Sequence, residues 1–278
     1  MSEDGKMATL IAVINQKGGV GKTTTAFNLG ARFRILGKKV LFVDMDSQCS
    51  LTMIMQGGYD GTTMYELLLN KGMDVETALQ KLPEGDLLPG SPMMSTLDIA
   101  LTQVGKEYRL KEVLSGIADK YDYIIMDGPP TLGVATINML VASDKIIIPT
   151  LADVFGTQSI GQLYETIKMV KQYCNPGLEI EGIVLIRHKG NLRLDKAIRD
   201  DLEAIAEKIH TKLFQSSIRE SVAVREAEVN QKSIFSYAAK SPQAEDFCRL
   251  ADEILGIVRQ DETVPEEDER GQISIELC

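Results

Sequence analysis

Lys17-Gly18-Gly19-Val20-Gly21-Lys22-Thr23-Thr24 is the stretch that decides the fold. Immediately before it, Thr9 to Asn15 (TLIAVIN) is a continuous apolar run, as expected of a strand buried on both faces. After it, Thr23 to Leu36 has helical character and is closed by Gly37, and Val40 to Asp44 (VLFVD) is a second buried strand. Together these segments make one strand–helix–strand unit. Gly18, Gly19 and Gly21 allow a tight turn whose N–H groups point inward at phosphate oxygens. Lys22 sets an ammonium against the β- and γ-phosphates, and Thr23 opens the helix and offers a hydroxyl to Mg²⁺. The helix N-terminus adds partial positive charge. A ligand-free Gly-rich turn would account for the glycines, but not for strand, loop, Lys-Thr and helix in this order.

Further along, Tyr123 to Asp127 (YIIMD), Lys145 to Pro149 and Ile180 to Ile186 read as strands, and Asp86 to Leu88 as a short one. Tyr65 to Asn70, Val75 to Leu82, Leu110 to Leu114, Ser159 to Tyr173, Leu194 to Ile209 and Gln243 to Val258 read as helices. Apolar strands alternating with helices predict an α/β fold, a mostly parallel central sheet with helices on both faces. Ligands in such sheets sit at the carboxyl ends of the strands, so Asp44, Asp46 and Asp127 are the informative acids. A carboxylate at a strand end beside a phosphate loop orients water or holds Mg²⁺. Asp127, closing an apolar strand as in a Walker B motif, is the expected Mg²⁺ holder. Capping of the following turn is the plainer reading for Asp44 and Asp46.

The 278 residues fit one large α/β domain or two small ones, and no apolar run reaches the roughly 18 residues of a membrane span. Cys49, Cys174, Cys248 and Cys278 form no CxxC pair, so neither a zinc site nor a disulfide framework is expected. The net charge of -10 is unevenly spread. Residues 261–278 carry seven acids against Arg270, whereas 187–240 hold 11 Lys and Arg against 8 Asp and Glu. We therefore expect residues 1–260 to form a single domain, followed by an acidic, disordered tail.

The phosphate loop departs from GxxxxGK[ST], because Gln16 stands where glycine is required. Its octet resembles the deviant Walker A motif of the ParA/MinD superfamily of P-loop ATPases. Tyr121 to Gly133 (YDYIIMDGPPTLG), Ile148 to Asp153 with Gln162-Leu163, and Ile218 to Tyr237 resemble successive blocks of the ParA/Soj partition ATPases. The resemblance covers most of the chain and is loose from Gly57 to Val104. It implies ATP and Mg²⁺ as cofactors. The nucleotide would be held by Lys17, Gly18, Gly19, Val20, Gly21, Lys22, Thr23 and Thr24, and the metal by Thr23, Asp44 and Asp127. Lys17, Lys22 and Asp46 would carry catalysis, with Asp46 positioning the attacking water and Lys17 reaching the nucleotide of a partner subunit. Glu228 stands where the family usually has a proline near adenine, and Arg219 also replaces a proline.

The same resemblance implies a cytoplasmic, nucleoid-associated partition ATPase. Mg-ATP closes a sandwich homodimer, the dimer binds double-stranded DNA non-specifically, and a ParB-like partner stimulates slow hydrolysis and release. Lys189, Arg193, Arg219 and Arg225 are the candidate phosphate contacts on DNA, diluted by Asp195, Asp200, Asp201 and Glu203. The acidic tail is unlike the basic membrane helix of MinD-type relatives, so no membrane contact is expected. The nucleotide motifs equally suit a positioning ATPase of the same fold acting on a protein cargo or membrane adaptor. DNA binding separates the two.

Overall fold

The computed structural model describes residues 7–152, 156–188 and 192–257, without the side chains of 156–158 and 192–196. Lys189 and the acidic segment 261–278 lie outside the described residues. The strands are β1 (Thr9–Val13), β2 (Val40–Asp44), β3 (Gln80–Leu82), β4 (Gly85–Leu88), β5 (Tyr123–Asp127), β6 (Lys145–Leu151), β7 (Glu179–His188) and β8 (Leu213–Arg219). They form one sheet in the order β3-β4-β2-β5-β1-β6-β7-β8. All neighbours run parallel except β3, which pairs antiparallel with β4 at the edge.

The continuous apolar strands follow from two cores. Leu41, Val43, Ile124 and Met126 enter one, while Val40, Phe42 and Ile125 enter the other. Successive side chains of a strand point to opposite faces, so a strand covered on both sides needs apolar residues at every position. On one face lie α1 (Lys22–Ile35) and α11 (Pro242–Leu255), contributing Phe27, Phe33, Phe247 and Leu250. On the other lie α3 (Met64–Leu69), α5 (Arg109–Ser115), α6 (Val134–Ala142), α7 (Gly156–Tyr173) and α8 (Leu192–Lys208). Shorter helices are α2 (Ser50–Ile54), α4 (Leu97–Ala100), α9 (Val222–Val229) and α10 (Ile234–Ala238).

One expected helix is absent. Val75 to Leu82 splits into a single 3-10 turn, Val75–Ala78, and the edge strand β3. Asp74 accepts from the Glu76 N–H at 3.0 Å and starts that turn. Gln80, Lys81 and Leu82 then pair with Leu87, Asp86 and Gly85, so their backbone groups go to the sheet instead of a second helical turn.

Candidate functional site

Three adjacent strands, β2, β5 and β1, end together, and Val13 and Asp44 both lie in register with Asp127. The loop after β1 is therefore set directly over the two strand-end carboxylates. Asn15 fixes its entry: the side-chain amide donates to the Pro149 carbonyl at 2.8 Å and its Oδ1 accepts from the Lys17 N–H at 3.0 Å. Gly19 and Gly21 take φ of 73° and 79°, in the left-handed region that disfavours any side chain. A Cβ on Gly21 would also stand 3.0 Å from Ile186 Cγ2. Gly21 begins α1 without a side-chain cap, so the first N–H groups of that helix face the site.

Lys22 is buried, and its Nζ donates to the Lys17 carbonyl at 3.2 Å. Burial pulls its pKa down, while Asp127 and Asp46 pull it up. Thr23 Oγ1 donates to Asp127 Oδ2 at 2.6 Å, and Asp127 Oδ1 is buried with no hydrogen-bond partner among the described residues. Burial holds the Asp127 carboxyl well above the usual range, helped by the charge of Asp44 and opposed by Thr23 and Lys22. A buried carboxylate oxygen without a donor is costly, and a cation bound there would supply what it lacks. Among the described residues no three His, Cys, Asp or Glu side chains converge as a metal cage. This donor set suits Mg²⁺, which keeps several waters and shares phosphate oxygens.

Asp44 is differently occupied. Its Oδ2 accepts from the Thr52 N–H at 2.8 Å and the Thr52 hydroxyl at 2.7 Å, and its Oδ1 from the Asp46 N–H at 3.1 Å. Burial raises its pKa to about 6 against these bonds. In this geometry Asp44 clamps the turn that presents Asp46. Asp46 in turn accepts from the Gln48 N–H at 3.0 Å, so it does cap its turn, and it also lines the cavity described next.

A cavity of about 470 Å³ opens from the phosphate loop. Gly18, Gly19, Gly21 to Thr24 and Asp46 line it, together with Ile186, Ile218, Val224, Arg225 and Glu228. Glu228 thus meets the phosphate loop, where its Oε1 accepts from the Thr24 hydroxyl at 2.5 Å. Arg225 is exposed on the cavity rim. Arg219 lines the same rim but is engaged: Nε and Nη2 grip the buried Asp246 carboxylate at 2.6–3.2 Å, and Nη2 also donates to the Pro242 carbonyl at 2.9 Å. It staples β8 to the start of α11. Reversing its charge would strand Asp246, so Arg225 is the cleaner probe of a phosphate-binding face. The side chain of Arg193 and all of Lys189 lie outside the described residues.

Two supports escaped sequence reading. Thr52, eight residues beyond Asp44, has no motif to mark it. Asp98 accepts from the Val134 N–H at 2.6 Å and so caps α6, whose own N-cap, Gly133, offers no side chain. This pins the start of α6, which follows the Gly128-Pro129-Pro130 segment, from 36 residues away.

A nucleotide-sized cavity on a Gly-rich loop, a buried lysine and two strand-end carboxylates define a P-loop nucleoside triphosphatase. A family model described as an AAA domain matches residues 8–180. The sporulation initiation inhibitor protein Soj of Bacillus subtilis is 33% identical over 252 residues, covering 89% of this chain and 98% of that protein. The chromosome partitioning protein ParA of Caulobacter vibrioides is also 33% identical, covering 88% and 93%. The structure matches cobyrinic acid a,c-diamide synthase of Mycobacterium smegmatis, solved with ADP and magnesium, with a TM-score of 0.78 and 30% identity over 90% and 94% of the two chains. The chain belongs to the ParA/Soj family of P-loop ATPases. None of its described helices is long and apolar enough to cross a membrane.

Proposed function

We propose that this chain is an ATP-driven switch of the partition type, working in the cytoplasm on DNA. The observation that carries the reading is the convergence of Lys22, Thr23, Asp46 and Asp127 at the ends of three neighbouring strands, in a chain one-third identical to Soj and ParA over their length. In this reading Lys22 and the loop N–H groups hold the phosphates of ATP, and Asp46 orients the attacking water. Mg²⁺, held by Thr23 and Asp127 with Asp44 bracing the turn behind them, would neutralise charge on the β- and γ-phosphates. Lys17, at the mouth of the loop, reaches the nucleotide of a second copy in a sandwich dimer. The dimer binds double-stranded DNA through backbone phosphates, and a ParB-like partner triggers hydrolysis and release.

Co-sedimentation with DNA of unrelated sequences tests this. With ATP, retention is expected on every sequence, and affinity should fall steeply as salt rises from about 50 to 200 mM. Arg225→Glu should weaken retention on all sequences alike; because Arg225 also borders the nucleotide cavity, the ATP affinity of the variant is measured beside it and retention is compared at saturating ATP. An ATP-bound protein that ignores DNA at the lowest salt would favour the cargo-positioning ATPase instead.

A further inference from the structure

The bond between Thr24 and Glu228 joins the phosphate loop to a helix 204 residues away in sequence. Thr24 stands in the first turn of α1, where the N–H groups of Lys22, Thr23 and Thr24 lack helical partners and an anion is expected. A hydroxyl has one proton to give. While Thr24 donates to Glu228 Oε1, that proton is withheld from a phosphate oxygen, and a carboxylate occupies space next to where phosphate must lie. Both acceptors are negative, so a triphosphate seated in the loop meets a rival for the Thr24 proton and a like charge beside it.

We propose that Glu228 competes with bound nucleotide for the Thr24 hydroxyl and thereby lowers the affinity of this site for ATP. The inference rests on the nucleotide-site reading above. Ionised, Glu228 must be turned out of the contact when nucleotide enters; neutral, it can stay and donate its own proton to phosphate.

The surroundings fix the sign of the pH effect. From α1 the groups facing Glu228 are Thr24 and, deeper in the loop, Lys22. From the end of β7 comes Arg187, whose Nη2 lies 3.1 Å from Glu220 Oε1. From β8 comes Arg219, held by Asp246. Asp46, from the loop after β2, and Arg225, from α9 itself, line the same cavity, while Glu226 on α9 is exposed and accepts from the Tyr237 hydroxyl. Burial raises the Glu228 pKa, opposed by the Thr24 bond and Arg187. The group therefore takes up a proton at a higher pH than an exposed glutamate. Competition by the carboxylate is complete well above that pKa and fades as pH falls through it.

The test is the Kd for ATP, by calorimetry, of the unmodified chain, Glu228→Gln and Lys22→Ala at pH 8 and pH 5.5. Glu228→Gln keeps the shape and loses the charge. It should bind ATP about tenfold tighter at pH 8, the scale of one partly screened like charge at close range. The advantage should be smaller at pH 5.5 than at pH 8, because burial raises the Glu228 pKa, and the ratio to the glutamine variant cancels protonation of ATP itself. Glu228→Ala, also expected to bind more tightly, serves if the glutamine variant does not fold. Binding abolished by Lys22→Ala but equal in the unmodified, Glu228→Gln and Glu228→Ala chains, the last of which has no acceptor left for Thr24, overturns the competition and leaves the site intact. Weaker binding by Glu228→Gln also overturns it, and makes Glu228 a group that holds the nucleotide. Binding undiminished by Lys22→Ala overturns the site reading itself.

Discussion

Lys22→Ala is expected to abolish measurable ATP binding. The side chain is buried, its Nζ rests 3.2 Å from the Lys17 carbonyl, and burial lowers its pKa while Asp127 and Asp46 pull it up. A triphosphate brings up to four more negative charges into this space, and Lys22 is the cation placed to meet them. Hydrogen bonds from a charged donor contribute about 1.5–3 kcal/mol each, so losing two of them weakens ATP by roughly a hundredfold or more. The variant also leaves Asp46 and Asp127 without their cation, so its thermal midpoint is read beside the calorimetric titration. A folded Lys22→Ala protein that binds ATP as the parent does would place the nucleotide elsewhere.

The second large effect separates turnover from binding. Asp46 lines the cavity beside Lys22 and is presented by a turn that Asp44 and Thr52 clamp from behind. It holds no phosphate, so ATP affinity should change by no more than about threefold. Phosphate release should fall by about 10²-fold or more, the usual loss when a water-orienting carboxylate is removed. Asp46→Ala also frees the Gln48 N–H, which now donates to Oδ1. Asp46→Asn keeps that bond and removes only the charge, so it must show the same loss. Normal phosphate release by the asparagine variant would remove Asp46 from catalysis.

The strands ending at the site were legible because both faces of the sheet are covered, so each reads as an unbroken apolar run. The same physics hid α6. Ala135, Thr136 and Asn138 to Ala142 are all buried, and a helix covered on nearly every side shows little polar-to-apolar 3.6-residue period. The expectation of a helix through Leu82 failed because pairing along β4, a tertiary property, outweighs local propensity. The phosphate loop stood out because eight consecutive residues carry it. The couplings around it join distant segments, Thr24 with Glu228, Arg219 with Asp246 and Asp98 with Val134. Each partner alone is an ordinary polar residue, and only the fold shows that they meet. For Arg219 the fold adds a role that its charge alone does not announce, a staple between β8 and α11.

The proposed switch depends on one event, ATP bringing two copies together across their phosphate loops. Light scattering of the unmodified chain and of Lys17→Ala, each with ATP, with ADP and without nucleotide, measures it directly. Lys17 has its own N–H on Asn15 and its carbonyl on Lys22, so truncating the side chain leaves the loop backbone supported. The account predicts a mass near twice the chain's 30.6 kDa with ATP alone, and a monomer for Lys17→Ala under every condition despite retained ATP binding. A dimer formed equally well with ADP or by Lys17→Ala, or an ATP-saturated monomer of the unmodified chain, would contradict it.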